Sequence, residues 1–351
     1  MPAFTVHATP SRLRRRLIGW TVAALPIGSF GQASVPLHDP RIAAPFVTPS
    51  QFVRSALEQH FVPAAEAFAR STAALAEQLG AGCADDGRQD AARAGWRAAM
   101  LDWERLSAVA VGPLLERRSA RSVDFWPARP VMVRAAIEAQ PTTALDLERI
   151  GAPAKGLPAL EWLLWQGRVD ARHCAYARLL ADDCAREARA ILAGFQALSQ
   201  RAWDDESALP VLHEWVGQVV GGLEQLRWKK IGKPARSGRR DDWPRGFSGS
   251  TRAAWQAHAE GLRRMLLGPG GGGIALGSLD ALLRGRGHLA LAAELERAAL
   301  QAGRAVAAAD PARAPTVAAA QQALARTKAV VEDKAAGALQ ITVGFSDADG
   351  D

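Results

Sequence analysis

Residues 155–165 read KGLPALEWLLW, and Glu161 is the one carboxylate in the apolar run from Leu157 to Trp165. An ionised carboxylate inside apolar surroundings is costly unless it is paired, hydrogen-bonded or bound to a cation. Three roles stay open for it. Glu161 caps a helix or bonds to nearby main-chain N–H groups. It pairs with an arginine of the 117–134 region, where Arg117, Arg118, Arg121, Arg129 and Arg134 are available. Or it is a ligand in a cation or small-molecule site between helices.

Other candidate chemistry is weaker. HEWVG, 213–217, opens like a zinc-peptidase motif, but Gly217 stands where the second histidine is needed. His213 and Glu214 then read as a helix surface. GFSGS, 246–250, departs from a nucleophile elbow at Ser250, and no strand precedes it. GPGGGG, 268–273, lacks the following lysine of a phosphate loop and reads as a flexible connection. His38, His60, His173, His213, His258 and His288 are scattered without metal-like spacing; His60, on the first long helix, is the one to watch, and solvation is the expectation for the rest.

RWKKIGKPARSGRRDDWPR, 227–245, holds eight basic and two acidic residues. It reads as a basic loop over 229–248, solvated or facing an anion, a lipid headgroup or a polysaccharide. Trp96, Trp103, Trp162 and Trp215 fall at helical core spacing. Trp126, in an irregular segment beside Asp124 and Arg129, is the tryptophan best placed for a role outside packing.

The elements that must hold these residues are helical. Alanine, leucine and arginine dominate the 351 residues, and strand-like runs of β-branched residues are nearly absent. Helical periodicity predicts helices over 51–79 (disturbed near Pro63), 89–110, 130–139, 143–150, 171–200, 209–228, 250–267, 276–284, 287–307 and 313–335, with another begun by Pro158. The expectation is an all-α chain of two helical bundles, 49–202 and 203–351, after an extended linker at 34–48.

Residues 1–33 carry Arg12, Arg14, Arg15 and Arg16, then an apolar run from Leu17 to Phe30, then small residues ending at Ala33. That is the layout of an export signal, and Arg14 to Ile18 also fit a twin-arginine pattern, so a Sec or twin-arginine route to the periplasm is expected. Without this segment the chain carries 39 basic against 36 acidic residues, which gives no reason to expect nucleic acid. Cys174 and Cys184 lie ten residues apart on one predicted helix, about 15 Å, beyond the roughly 7 Å reach of a disulfide. A bridge would join Cys83 to one of the two and leave the other free.

The segment around Glu161 resembles the G-x-H-x-x-E stretch of imelysin-like proteins, with Gly156 and Glu161 matching and Pro158 in place of the histidine. SVDFWPARP, 122–130, is similar to the family's aromatic-proline segment, and LQITVGFSDADGD, 339–351, to its ending. Cys83 and Cys174 fall where members carry a cysteine pair, so the resemblance implies that bridge. It also implies two helical bundles, export and a link to iron acquisition, beside a peptidase label from a member that cleaves insulin. In the family the motif His and Glu act together at a metal or substrate site. Pro158 has no side-chain donor to a metal, so a copied site would lack a ligand. The expectation is therefore a non-catalytic periplasmic binding protein associated with iron uptake. Iron or another divalent metal, or a small anionic or cationic ligand, would sit at Glu161, framed by Asp124, Arg121, Arg129 and Trp126. A membrane transport or redox partner would follow. The alternatives are an imelysin-type metallopeptidase and a scaffold in which Glu161 is an internal ion-pair residue.

Overall fold

Thr48 ends the extended entry of the chain by accepting the main-chain N–H of Gln51, whose side chain returns a bond to the Thr48 N–H. This capping box starts α1, Pro49–Ala56. The computed structural model describes residues 45–83, 86–166, 170–239, 242–270 and 275–341. The expected export segment, most of the linker and nearly all of the C-terminal ending lie outside them.

A π-helical turn, Leu57–Phe61, joins α1 to α2, Val62–Gly80, without leaving the helical backbone. The widened turn immediately precedes Pro63, which has no N–H to give the regular ladder. So the long first helix forms, and its irregularity falls beside the proline. α3, Asp86–Leu106, buries Trp96, Met100, Trp103 and Leu106. Short helices α4 (Pro113–Glu116), α5 (Ser119–Val123), α6 (Pro130–Glu138) and α7 (Ala144–Glu148) follow. α8, Gly156–Trp165, is buried from Gly156 to Leu164, as a helix apolar all round must be. α9, Ala171–Gln200, starts at Asp170, whose carboxylate accepts the N–H groups of Arg172 and His173. Cys83 and Cys174 are bridged, with Cα atoms 5.7 Å apart, and Cys184 is a free buried thiol.

The second half contains α10 (Asp205–Glu224), α11 (Lys233–Ser237), α12 (Thr251–Leu267), α13 (Leu279–Gly285), α14 (Leu289–Ala308), α15 (Ala314–Ala329) and α16 (Ala336–Ala338). A π-helical stretch, Gln225–Gly232, links α10 to α11, and another, Val330–Ala335, follows α15. The expected basic loop is thus helical through Ser237, with Lys230 turned inward and Lys229, Lys233 and Arg236 exposed. Its remainder, 242–250, is a chain of tight turns.

α2 packs between α3 and α9, and α8 lies on α9 and α3. α12 packs on α14, which packs on α15. The two sets are joined where α12 lies on α3 and α1 on α10. At the first of these, a Cβ on Gly261 would come within 2.3 Å of the Arg105 carbonyl oxygen, so only glycine lets the helices approach this closely. The described residues are all-α, with no strand among them.

Candidate functional site

Glu161 is positioned by the start of its helix. Gly156 has φ +71°, and a Cβ there would lie 2.3 Å from the Val123 carbonyl oxygen. The glycine therefore seats α8 directly against the end of α5, beside Asp124. One and a half turns later Glu161 is 2% exposed. Its Oε1 accepts the Ser248 N–H at 2.9 Å and the Ser248 hydroxyl at 2.7 Å. Among the described residues, Oε2 accepts no hydrogen bond. The residue lines a cavity of about 560 Å³ together with Trp126, Pro158, Trp243 and Phe247. Burial pushes its pKa above the usual carboxylate range, against the opposing pull of Arg245 and Ser248.

Behind it lies a second buried carboxylate, Glu104 on α3, with no exposed surface. Its Oε2 meets the Lys230 ammonium and lies 3.3 Å from His258 Nδ1, while Oε1 accepts from Arg245 Nη2 at 3.0 Å. The same Nη2 donates to Asp124 Oδ2 at 2.6 Å, and Trp103 Nε1 donates to that oxygen at 2.9 Å. Burial alone would raise the Glu104 pKa, but Lys230, the His258 bond and Arg245 outweigh it and hold the group ionised. His258 is pushed toward its neutral form by burial and by Lys230. Arg245 itself sits at φ +61°, in the left-handed region that branched or long side chains avoid. Its carbonyl is held by the Ser250 N–H at 3.0 Å, with the Ser248 oxygen, whose proton goes to Glu161, 3.2 Å away. One strained turn thus delivers Arg245 to Glu104 and Asp124, and Ser248 to Glu161.

Glu104 and the half-buried Asp124 share the cations Lys230 and Arg245, and Glu161 is the acid in direct contact with neither.

The sequence-predicted residues are distributed unevenly. Trp126, followed by a cis bond to Pro127, lines the Glu161 cavity. It also borders a second cavity of about 300 Å³ with Arg121, Asp124, Lys229 and Arg245. Arg129 is exposed, and its bonds among the described residues are main-chain ones, its N–H donating to Pro153 and its carbonyl accepting from Met132 and Val133. The arginines of 117–134 are not the partners of Glu161: Arg117 pairs with Glu187 at 2.6 Å, and Arg134 lies over Trp162. The nearby cation comes instead from Arg245, far along the chain. Nor do the main-chain donors belong to α8; they come from Ser248. Two histidines are buried, His258 against the expectation of a solvated one and His60, the one to watch. His258 joins the Glu104 cluster, and His60 has neither ring nitrogen hydrogen-bonded among the described residues.

Glu104, Lys230, Arg245, Ser248 and His258 were not singled out from sequence. A signal existed for two of them. Glu104 follows Trp96 and Met100 at eight and four residues, and His258 follows Ala254 at four, so both fall on core stripes. Pro158 lies on the cavity wall and offers no donor. No group of three or more His, Cys, Asp or Glu able to hold a metal occurs among the described residues. The donor set therefore does not fit a bare metal ion at Glu161.

The model of the imelysin peptidase family matches residues 61–339. No curated protein matches the chain. An imelysin-like protein from Psychrobacter arcticum superposes with a TM-score of 0.70 at 21% identity, over 87% of this chain and 100% of that one. A protein from Parabacteroides distasonis named as an iron-regulated protein A precursor superposes with a TM-score of 0.68 at 14% identity, over 84% of this chain and 95% of that one. At these identities the likeness establishes the fold.

Proposed function

The chain belongs to the imelysin family, and we propose that it acts there as an exported, non-catalytic binding protein associated with iron acquisition. One observation carries the reading: Glu161 lines a large cavity with one oxygen fixed by Ser248 and the other without a hydrogen bond among the described residues. A carboxylate kept for structure is normally saturated; this one is half free. The Cys83–Cys174 bridge supports export, since such bonds persist outside the cytoplasm. Among the described residues no helix is long and apolar enough to cross a membrane. The iron link rests on the family resemblance and on the name of the Parabacteroides relative. A membrane transport or redox protein would take the ligand onward. A zinc peptidase is disfavoured by Pro158 and the missing donors.

Native mass spectrometry of the protein recovered from iron-limited and iron-replete cells tests this. The wild type is expected to carry a small-molecule adduct that Glu161→Gln lacks, and neither is expected to cleave unfolded peptides with added zinc. Zinc-dependent cleavage lost in Glu161→Gln would establish the metallopeptidase instead. No adduct on either form, with Glu161→Gln strongly destabilised, would leave a scaffold.

A further inference from the structure

We propose that Glu161 and the rings of Trp126, Trp243 and Phe247 form a site for an organic cation, an alkylammonium or quaternary ammonium group. The inference rests on the binding-protein reading above and names the class of its ligand.

Glu104 and Asp124 take up Lys230 and Arg245, so Glu161 on the cavity wall has no cation in direct contact. Among the described residues, the other charges lining that cavity, Arg239 and Asp242, lie 3.9 Å apart and offset each other. So the wall attracts one positive charge. A bare metal ion would need several oxygen, nitrogen or sulfur donors, and Glu161 supplies a single free oxygen. The cavity is also far larger than an ion; about 560 Å³ is the size of an organic ligand site. Its wall also carries two indoles, one phenyl ring and Pro158.

Aromatic faces attract ammonium groups through the ring quadrupole. Elsewhere the protein already uses this contact: arginines lie over Trp162, Trp165, Trp203 and Trp228. Trp126, Trp243 and Phe247 carry no such arginine or lysine among the described residues, although Trp243 packs against the Trp255 ring. An ammonium group needs no fixed donor set: one carboxylate balances its charge and the rings cover its methyl or methylene groups. The same chemistry could arrive as a free amine or as the alkylammonium tail of an iron chelate.

Isothermal titration of the exported form of the chain separates these cases. The probes are choline, 1,5-diaminopentane, the uncharged choline isostere 3,3-dimethylbutan-1-ol, ferrioxamine B with its free ammonium tail, and ferric and zinc ions. At least one ammonium probe is expected to saturate one site, about tenfold or more tighter than the uncharged isostere. Glu161→Gln is expected to lose roughly tenfold or more of that affinity, and Trp126→Leu, on the cavity wall, about three- to tenfold, with unchanged melting temperature for the latter. Tighter binding of ferrioxamine B than of the simple amines supports the chelate source; the reverse supports a free amine. Equal affinity for choline and its isostere would overturn the proposal. So would saturable binding of ferric or zinc ion through Glu161 with no ammonium binding, although the binding-protein reading would then stand. No binding by any probe also overturns the cation class, and the native adduct test then decides alone whether a ligand exists.

Discussion

Glu104 and Glu161 are both buried glutamates in the same charged cluster, yet the protein treats them in opposite ways. Glu104 has both oxygens engaged, by Lys230, Arg245 and His258, and its pKa is driven down. Glu161 has one oxygen engaged, by a serine, and its pKa is driven up. Glu104 is enclosed, whereas Glu161 lines a cavity. The first arrangement ties α3 to the 225–250 region. The second leaves a desolvated acid without a full complement of partners, which destabilises the free protein and suits it to an external cation. Burial alone therefore does not mark a functional acid.

The comparison can be broken at several points. Glu104→Gln has the largest expected effect, because it leaves Lys230 and Arg245 buried with one acid fewer. Chemical denaturation should register a loss of about 3–5 kcal/mol. A loss below about 1 kcal/mol would mean the pair is not structural. Gly156→Ala acts on the other side by displacing the start of α8. The left-handed conformation alone costs about 1–2 kcal/mol for alanine, and the contact with Val123 adds to it. Ligand affinity should fall with stability, since Glu161 moves with its helix.

Ser248→Ala is milder. It removes one of two donors to Glu161 and should cost about 1 kcal/mol. A donor that favoured the carboxylate is gone, so the Glu161 pKa rises further. Ligand binding should then weaken at a higher pH than in the wild type, which titrations across pH 5–8 would register.

His60 sharpens the contrast as a third buried titratable group, one with no ionic bond at all. Burial, aided by Arg264, lowers its pKa from 6.5 to about 3. As pH falls through that window the unfolded chain takes up a proton that the folded chain refuses. Stability present above pH 6.5 is therefore lost on acidification, by roughly 1.4 kcal/mol per pH unit within the window. His60→Leu should change stability little at pH 7 and flatten the acid limb of a melting-temperature profile.

Helix placement was largely legible in the sequence because apolar residues recur at helical spacing, and even the disturbance near Pro63 falls where a missing N–H requires it. Glu161 was legible for the opposite reason, as a lone acid in an apolar run. Its partners were not. Lys230 and Arg245 sit in a run of basic residues that reads as a solvated loop, and nothing local distinguishes them from Lys229 or Arg239. Their burial follows from contacts with Glu104, 126 and 141 residues away in sequence. Ser248 likewise reaches Glu161 across 87 residues. Spacing reports which face of a helix is apolar; it does not report which distant charge meets that face.

The central claim is that the scaffold does not need the Glu161 charge. Equilibrium unfolding of ligand-free Glu161→Gln at pH 7, measured beside the wild type, tests it most directly. Because burial penalises the ionised form of Glu161, a neutral side chain of the same shape should leave stability equal or raise it by up to about 1 kcal/mol. A loss comparable to that of Glu104→Gln would contradict the account and make Glu161 one more internal ion-pair residue.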